Sequence, residues 1–519
     1  MKKTLLLLII TATLSNANNF FNLYTQNKKE GIGNYITIDF LLNNLYLHKK
    51  EIITEIERKQ LEPNLKRFSY ELIREAIKKR VKDERLLKYL TTLNMLQNNA
   101  LPKLPTHIIS QAKEELDKID RASLKGYKKF KNSGRLKDRN SYFKSLVYVT
   151  QMPFYLNAST MTNTDENSSL ANVKRGLIFA DIISSDKKLK SLYLNINSSL
   201  KALFGEADDL GIIDFFKFKL DTPVKRVKKR LNYRSNYPKI IGEQVDITGV
   251  KRKDIAKNLL SFRLFSSRYT LDSYLFSRVV FPYTLAPLHD KLDKYTAMVN
   301  GKRVRVLPSI KDIELLFSSP KKESYVNYLK NLKLVQKDLK YINSPKSLYA
   351  YDFKIYKELL RVGKNSAFKG YYTQNRYLSY AYLKKSHTPT QRSMVLGSPR
   401  DKALLENNIT KVLGLMINEL NFLSKIYHNK KSQKLVNIFT ELKHISKLKK
   451  YNKEEIEFLN TLNIRLKNIV RGEFKPISVE LHRDGNSKRA LVEGLKNPKI
   501  IEKNGLRGVR YEHNEYFVW

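Results

Sequence analysis

The sequence predicts a mainly α chain, a large helical body with a small C-terminal β-containing subdomain. Three observations carry that expectation. Apolar residues recur at helical spacing over most of the 519 residues. Glycine and proline number only 19 and 15, too few for a loop-rich β sandwich or for long disordered linkers. After about Val470 the apolar period changes from helical to alternating.

The N-terminus reads as an export signal. Lys2 and Lys3 form a positive start, and Thr4 to Leu14 is an apolar run too short to span a bilayer. Ser15-Asn16-Ala17 supplies small residues for cleavage, so residues 1–17 are expected to be removed and Asn18 to begin the mature chain. No cysteine stands at the cleavage point, which excludes a lipoprotein anchor. No later stretch has the length and apolarity of a transmembrane helix. The expected location is the periplasm or the cell surface.

The body, residues 18–470, is built from amphipathic stripes. Leu41, Leu42, Leu45, Ile52, Ile53 and Ile56 follow Asp39, a residue type suited to capping a helix. Pro63-Asn64 opens a second stripe with Leu65, Phe68, Leu72, Ile73 and Ala76. Leu86, Leu87, Leu90 and Leu93 mark a third. Ser398-Pro399-Arg400-Asp401 is a helix-start signature ahead of Val412, Leu413, Met416, Leu420 and Leu423. Asn452 with Glu455 three residues later predicts a capping box. Each stripe reads as a core face.

The last segment, residues 471–519, is expected to be a β-rich subdomain packed on the body. Ile477, Val479 and Leu481 alternate with polar residues, Asp484-Gly485-Asn486 is a turn signal, and Asn504-Gly505 is a hairpin signal. Val509 to Trp519 reads as a final strand.

Charge is the strongest compositional feature. Lys and Arg number 97 against 50 Asp and Glu, a formal charge of +47. Such a surplus suits a polyanion partner, whether lipopolysaccharide, teichoic acid, an anionic phospholipid surface or extracellular DNA. It equally fits the general richness in Lys, Asn, Ile, Leu, Tyr and Phe. The densest clusters are Lys225, Arg226, Lys228, Lys229 and Arg230, and Lys251, Arg252 and Lys253. They read as a polyanion patch or as solvated faces.

Chemical motifs are few. The absence of cysteine excludes thiol catalysis and Cys-ligated metal centres. No phosphate-binding loop, zinc helix, dinucleotide glycine motif or nucleophile elbow occurs, the eight histidines are scattered, and neither a cofactor nor a metal is expected. One local cluster is suggestive. Glu480, His482 and Asp484 lie two apart on an expected strand, hence on one side, where two carboxylates and an imidazole can bind a metal or serve acid–base chemistry, or simply form a polar strand edge.

At this cluster the sequence resembles the domain-of-unknown-function 3160 family of mostly exported bacterial and archaeal proteins. Glu480-Leu481-His482-Arg483-Asp484 is similar to the family's Asp-Val-His-Thr-Asp, and Leu491-Val492-Glu493 and Tyr511 to Phe517 follow in order. Ile36 to Leu42 resembles a Thr-Asp-Ser-Leu-Leu-His stretch. Phe262 to Arg268 leads to Asp272-Ser273-Tyr274-Leu275-Phe276, and Arg305 to Ser309 with Asp312 comes next. Tyr382 to Ser386 resembles a Tyr-Ala-Lys-Gln-Ser segment. Where the family pattern has His after the Leu-Leu pair, this chain has Asn43 and Tyr46; where it has Glu, Arg, His and Asp, this chain has Gln374, Arg376, Tyr377 and Leu378. The resemblance therefore leaves Asp39, Arg268, Asp272, Arg376, His482 and Asp484 as candidates. Arg268 and Asp272 would also pair as i, i+4 neighbours if helical.

Two functions follow as expectations. The first is a non-catalytic envelope protein that binds an anionic polymer or a protein partner, with Arg268, Asp272 and Arg376 as binding candidates. The second is a hydrolase of an envelope glycan or peptidoglycan, with Glu480, His482, Asp484 and Asp39 as catalytic candidates. A nucleic-acid enzyme fits less well with export and the missing motifs.

Overall fold

Helical periodicity dominates the architecture. The computed structural model describes residues 20–120, 140–207, 210–232, 260–266, 268, 270–280, 296–299, 301–305, 308–318, 325–337, 339, 346–379, 403–472, 474, 476–483 and 490–518. The expected signal, the Lys251, Arg252 and Lys253 cluster, Asp484 and the Ser398 to Asp401 start signature lie outside these residues.

The chain begins with α1 (Phe20–Glu30), β1 (Tyr35–Ile36) and the long α2 (Ile38–Ile56). Thr37, not Asp39, caps α2, accepting the Phe40 N–H at 3.2 Å. Asp39 lies in the first turn, where a carboxylate faces the helix dipole. A π turn at Glu57–Leu61 leads directly into α3 (Glu62–Lys78), with Pro63 at its start. Then come α4 (Glu84–Leu96), α5 (Thr106–Asp120), α6 (Asn140–Gln151), β2 (Phe154–Tyr155), α7 (Glu166–Ser185), α8 (Lys187–Phe204), β3 (Leu210–Gly211) and the short basic α9 (Val224–Asn232). The expected stripes of α2, α3 and α4 are buried as read, from Leu41 to Leu93.

The middle of the chain supplies β4 (Ser261–Arg263), α10 (Leu271–Val279), a β5–β6 hairpin (Thr296–Val299, Lys302–Arg305), α11 (Ile310–Phe317), α12 (Tyr328–Lys337), α13 (Leu348–Arg361) and α14 (Asn365–Ser379). Beyond it, β7 (Leu404–Leu405) pairs parallel with β1. The next helix, α15, runs Thr410–Ile426, so it starts later than the Ser398 signature suggests, because Leu404 and Leu405 are taken by that pairing. α16 (Lys430–Ile445) and α17 (Lys453–Lys467) follow, the latter with the expected Asn452/Glu455 capping box.

The C-terminal region is β-rich, as its alternation suggested. β8 (Ile477–Arg483), β9 (Ala490–Leu495) and β12 (His513–Val518) form an antiparallel sheet in the order β12-β9-β8. β10 (Lys499–Lys503) and β11 (Leu506–Arg510) form a hairpin whose turn residues, Asn504 and Gly505, take φ of 54° and 74°. Both are the positive values that a two-residue hairpin turn demands. The expected single final strand is in fact the end of β11 plus β12, separated at Tyr511–Glu512. A continuous apolar core runs from α1 through the helical body and takes in Ile477, Val479, Leu495 and Val509 from the strands. Among the described residues, no helix is long and apolar enough to cross a membrane.

Candidate functional site: a buried polar helix

Helix α14 is unusual in its composition for so deep a position. Tyr371, Tyr372, Thr373, Gln374, Asn375 and Arg376 are all buried. Buried polar groups must find partners or cost stability, and α14 finds them in three neighbouring networks.

The first joins α14 to α2 and to the C-terminal strands. The Asp39 carboxylate accepts the Tyr511 N–H at 2.8 Å and the Ser366 hydroxyl at 3.2 Å. The Tyr511 hydroxyl donates to Gln374 Oε1 at 2.7 Å, and Gln374 Nε2 donates to Asn43 Oδ1 at 2.9 Å. Gly370 makes this possible. A Cβ there would stand 2.0 Å from the Tyr511 ring, so only glycine lets the ring lie against the helix. Burial pushes the Asp39 carboxyl up to about 7, with the Tyr511 and Ser366 hydrogen bonds partly opposing the shift.

The second network is an ion pair. Arg376 Nη1 donates to Asp272 Oδ2 at 2.6 Å, and the Tyr372 hydroxyl donates to the same oxygen at 3.0 Å. Both charged side chains are at most 5% exposed. Desolvation alone would lower the Arg376 value, but the Asp272 charge overrides it and holds the guanidinium more firmly protonated than usual.

The third centres on Lys49 of α2. Its ammonium donates to Asp352 of α13, to Glu419 of α15 at 2.7 Å and to the Tyr371 hydroxyl at 2.8 Å. Asn375 Nδ2 donates to Asp352 at 2.9 Å and Tyr371 to Glu419 at 3.2 Å. Burial drives Glu419 up to about 8 against the pull of Lys49, and raises Asp352 as well. Burial thus favours the protonated form of both carboxyls, and the Lys49 ammonium between them opposes it. A small cleft reaches this network between Lys49, Tyr349, Asp352, Asn375 and Ser379. It admits about one water, and Asn375 Oδ1, which has no hydrogen-bond partner among the described atoms, is suited to hold one.

The sequence-derived candidates divide accordingly. Asp39, Asp272 and Arg376 come to the same helix, but in separate networks. Arg268 precedes α10 and donates to Asn197 Oδ1 at 3.2 Å, while Asp272, in the first turn of α10, pairs with Arg376. His482 and Glu480 are on β8, which packs against α14. A bulge falls between them. Glu480 registers with Val492 and His482 with the adjacent Leu491. Asn43 and Gln374, two of the positions that the sequence comparison set apart, are hydrogen-bonded to each other.

Two further clusters lie beside α14. Arg305 pairs with Asp312 at 2.9 Å, and Asp312 also accepts from Ser309 N–H at 2.7 Å and Tyr328 OH at 2.6 Å. On the C-terminal sheet, Glu493 lies opposite Glu515, and His513 approaches it at 2.7 Å. Burial first, then the charge and hydrogen bond of Glu515, raises Glu493 well above the carboxylate range. Lys49, Asp352, Glu419 and Glu493 were not singled out in the sequence. Their one local signal is a charged residue inside an apolar stripe, such as Lys49 between Leu45 and Ile52. Among the described residues, no group of three or more His, Asp or Glu side chains is placed to hold a metal ion.

The geometry defines a helical protein whose polar interior ties a C-terminal sheet to its body. A family model described as "Protein of unknown function (DUF3160)" matches residues 6–375, and the chain belongs to that family. The match ends within α14, so the likenesses at Tyr382 to Ser386 and Glu480 to Asp484 lie beyond it. No curated protein and no solved structure matches the chain.

Proposed function

We propose that this protein is exported to the cell envelope and acts there as a non-catalytic binder of an anionic polymer or of a protein partner. The observation behind this reading is the division of charge between interior and surface. Asp39, Asp272, Arg376, Lys49, Asp352 and Glu419 are bonded to one another and to α14, and the cleft that Lys49 and Asp352 line admits about one water. On α9, by contrast, Lys225, Arg226, Lys229 and Arg230 are exposed and make no ion pair with a described residue. Such cations hold mobile counterions, and release of those ions is what a polyanion partner gains.

The test is binding of the mature chain to lipopolysaccharide, teichoic acid and anionic vesicles over a salt series. The expected result is affinity that falls steeply between about 50 and 200 mM salt. Affinity independent of salt, or none for any of the anionic ligands, overturns the reading.

Hydrolysis of an envelope glycan or peptidoglycan is the second reading. What favours it is Asp39, whose carboxyl is pushed up to about 7, a value suited to a general acid. Release of soluble fragments from peptidoglycan, abolished by Asp39→Asn and by His482→Ala, would establish it; intact peptidoglycan after incubation with the wild-type chain would remove it.

A further inference from the structure

The stretch from Ile212 to Asn232 combines two surface properties, positive charge and exposed apolar side chains. It holds seven basic residues, Lys217, Lys219, Lys225, Arg226, Lys228, Lys229 and Arg230, against two acidic ones, Asp214 and Asp221. It also exposes large apolar side chains. Six such side chains are exposed among the described residues, and two, Ile213 at 45% and Leu220 at 38%, are in this stretch. A third, Leu194, is on α8 one turn beyond Lys190, whose ammonium lies 5.5 Å from the centre of the Phe216 ring. Phe216 and Phe218 are half-buried beneath these cations, with Lys217 5.1 Å from the Phe218 ring.

This surface is held rigidly. The stretch runs along α7 as a ribbon. Phe215 is buried with its ring on Gly176, where a Cβ would come within 2.3 Å of it. The Leu220 carbonyl accepts from Lys174 at 2.9 Å, and Lys228 pairs with Glu166 at 3.0 Å and with Ser169 at 3.0 Å. These anchors span residues 166 to 176 of α7, about 15 Å of helix. Val227 and Leu231 fix α9 from below, so its four exposed cations face outward.

We infer that this ribbon is a docking face for an anionic phospholipid bilayer, on which Ile213, Leu220 and the Phe216 and Phe218 edges enter the headgroup boundary while Lys225, Arg226, Lys229 and Arg230 lie on lipid phosphates. The inference rests on the polyanion-binding reading above and narrows it to one partner. Charge alone would serve any polyanion. Exposed isoleucine and leucine within the basic patch serve a partner with an apolar layer under its charge, which a bilayer has and a soluble polymer lacks. The long Lys and Arg side chains reach past the inserted residues to the headgroups. The face is peripheral and inserts shallowly, since its apolar part is a turn and not a spanning helix.

The experiment is co-sedimentation of the mature chain with vesicles of phosphatidylcholine alone and with about one-third phosphatidylglycerol, beside a soluble polyphosphate arm. Three proteins are compared: wild type, Ile213→Ser/Leu220→Ser, and Lys225→Gln/Arg226→Gln/Lys229→Gln/Arg230→Gln, each checked for native circular dichroism. The expected result is wild-type binding to the anionic vesicles only, reduced about tenfold or more by either variant, with polyphosphate binding reduced by the charge variant alone. Vesicle binding that survives Ile213→Ser/Leu220→Ser overturns the bilayer inference and leaves the polyanion reading standing. Failure of the wild type on both vesicles and polyphosphate overturns both.

Discussion

On α14, Arg376 is buried and bonded to Asp272; on α9, four cations are exposed and make no ion pair with a described residue. The two helices differ in what surrounds them. α14 is packed by α2, α13 and the C-terminal sheet, so each polar group on it had to meet a complementary one. α9 touches the body along one edge, through Val227, Leu231 and the Lys228–Glu166 pair, and leaves Lys225, Arg226, Lys229 and Arg230 exposed. Removing charge should therefore unfold the protein in the first case and unbind it in the second.

Arg376→Met offers the hardest test of this contrast. It takes the guanidinium away from the buried Asp272 carboxylate and leaves the Tyr372 hydroxyl donating to that acid, and breaking one side of such a pair costs about 3–5 kcal/mol. Urea unfolding should register that loss. The double change Arg376→Met/Asp272→Leu should recover much of it, because both charges then leave the core together. A double variant as unstable as the single one would mean that the pair itself, and not the stranded charge, holds α14 in place.

Gly370→Ala probes the same helix without touching a charge. The added methyl meets the Tyr511 ring, and overpacking of this sort costs about 1–3 kcal/mol. Because Tyr511 also supplies the N–H that Asp39 accepts, the variant should loosen the C-terminal strands first. Faster amide exchange in β11 and β12 than in α3 is the expected signature.

Part of this division was legible in the sequence and part was not. The stripes of α2, α3 and α4, the Asn452/Glu455 capping box and the Asn504-Gly505 turn were readable because each depends on residues within a few positions of one another. The start of α15 was misread because pairing of β7 with β1, some 370 residues away, overrides a local cap signal. The bulge in β8 between Glu480 and His482 has no local marker in the sequence. Asp39, Asp272 and Arg376 were singled out by family likeness. That they all attach to α14, and that Lys49, Asp352 and Glu419 join them there, depends on contacts 23 to 370 residues apart. No periodicity encodes those contacts.

The pH dependence of stability sharpens the account of the interior. The folded value of Asp39 is raised from 3.8 to about 7. Between those values the native state holds a proton that the unfolded chain has lost, so this group's contribution falls as pH rises from about 4 to 7. Glu419, raised to about 8, acts in the same sense. His48 opposes them: burial lowers it to about 4, so its contribution rises with pH between about 4 and 6.5. The difference between wild type and Asp39→Asn isolates one group. Asparagine keeps an acceptor for the Tyr511 N–H and carries no titrating proton. Its melting temperature should therefore fall less than that of the wild type between pH 5 and pH 7.5, by a few degrees. Equal slopes would mean that Asp39 is ionised in the folded protein throughout.

The smallest effect on stability is expected where the largest effect on binding falls. Lys225→Gln/Arg226→Gln/Lys229→Gln/Arg230→Gln removes four positive charges from α9 but leaves Val227, Leu231 and the Lys228–Glu166 pair in place. Exposed substitutions of this kind should change the melting temperature by no more than about 2 °C. Glutamine is nearly as good a helix former as lysine or arginine, so α9 should persist. The removed charges also repelled one another at i, i+3 and i, i+4 spacing, which makes a slight gain in stability the expected sign. A loss of several degrees would place these cations in the fold's own support, and the contrast between the two helices would then collapse. A preserved melting temperature with lost affinity for anionic vesicles would instead locate the function of α9 outside the molecule.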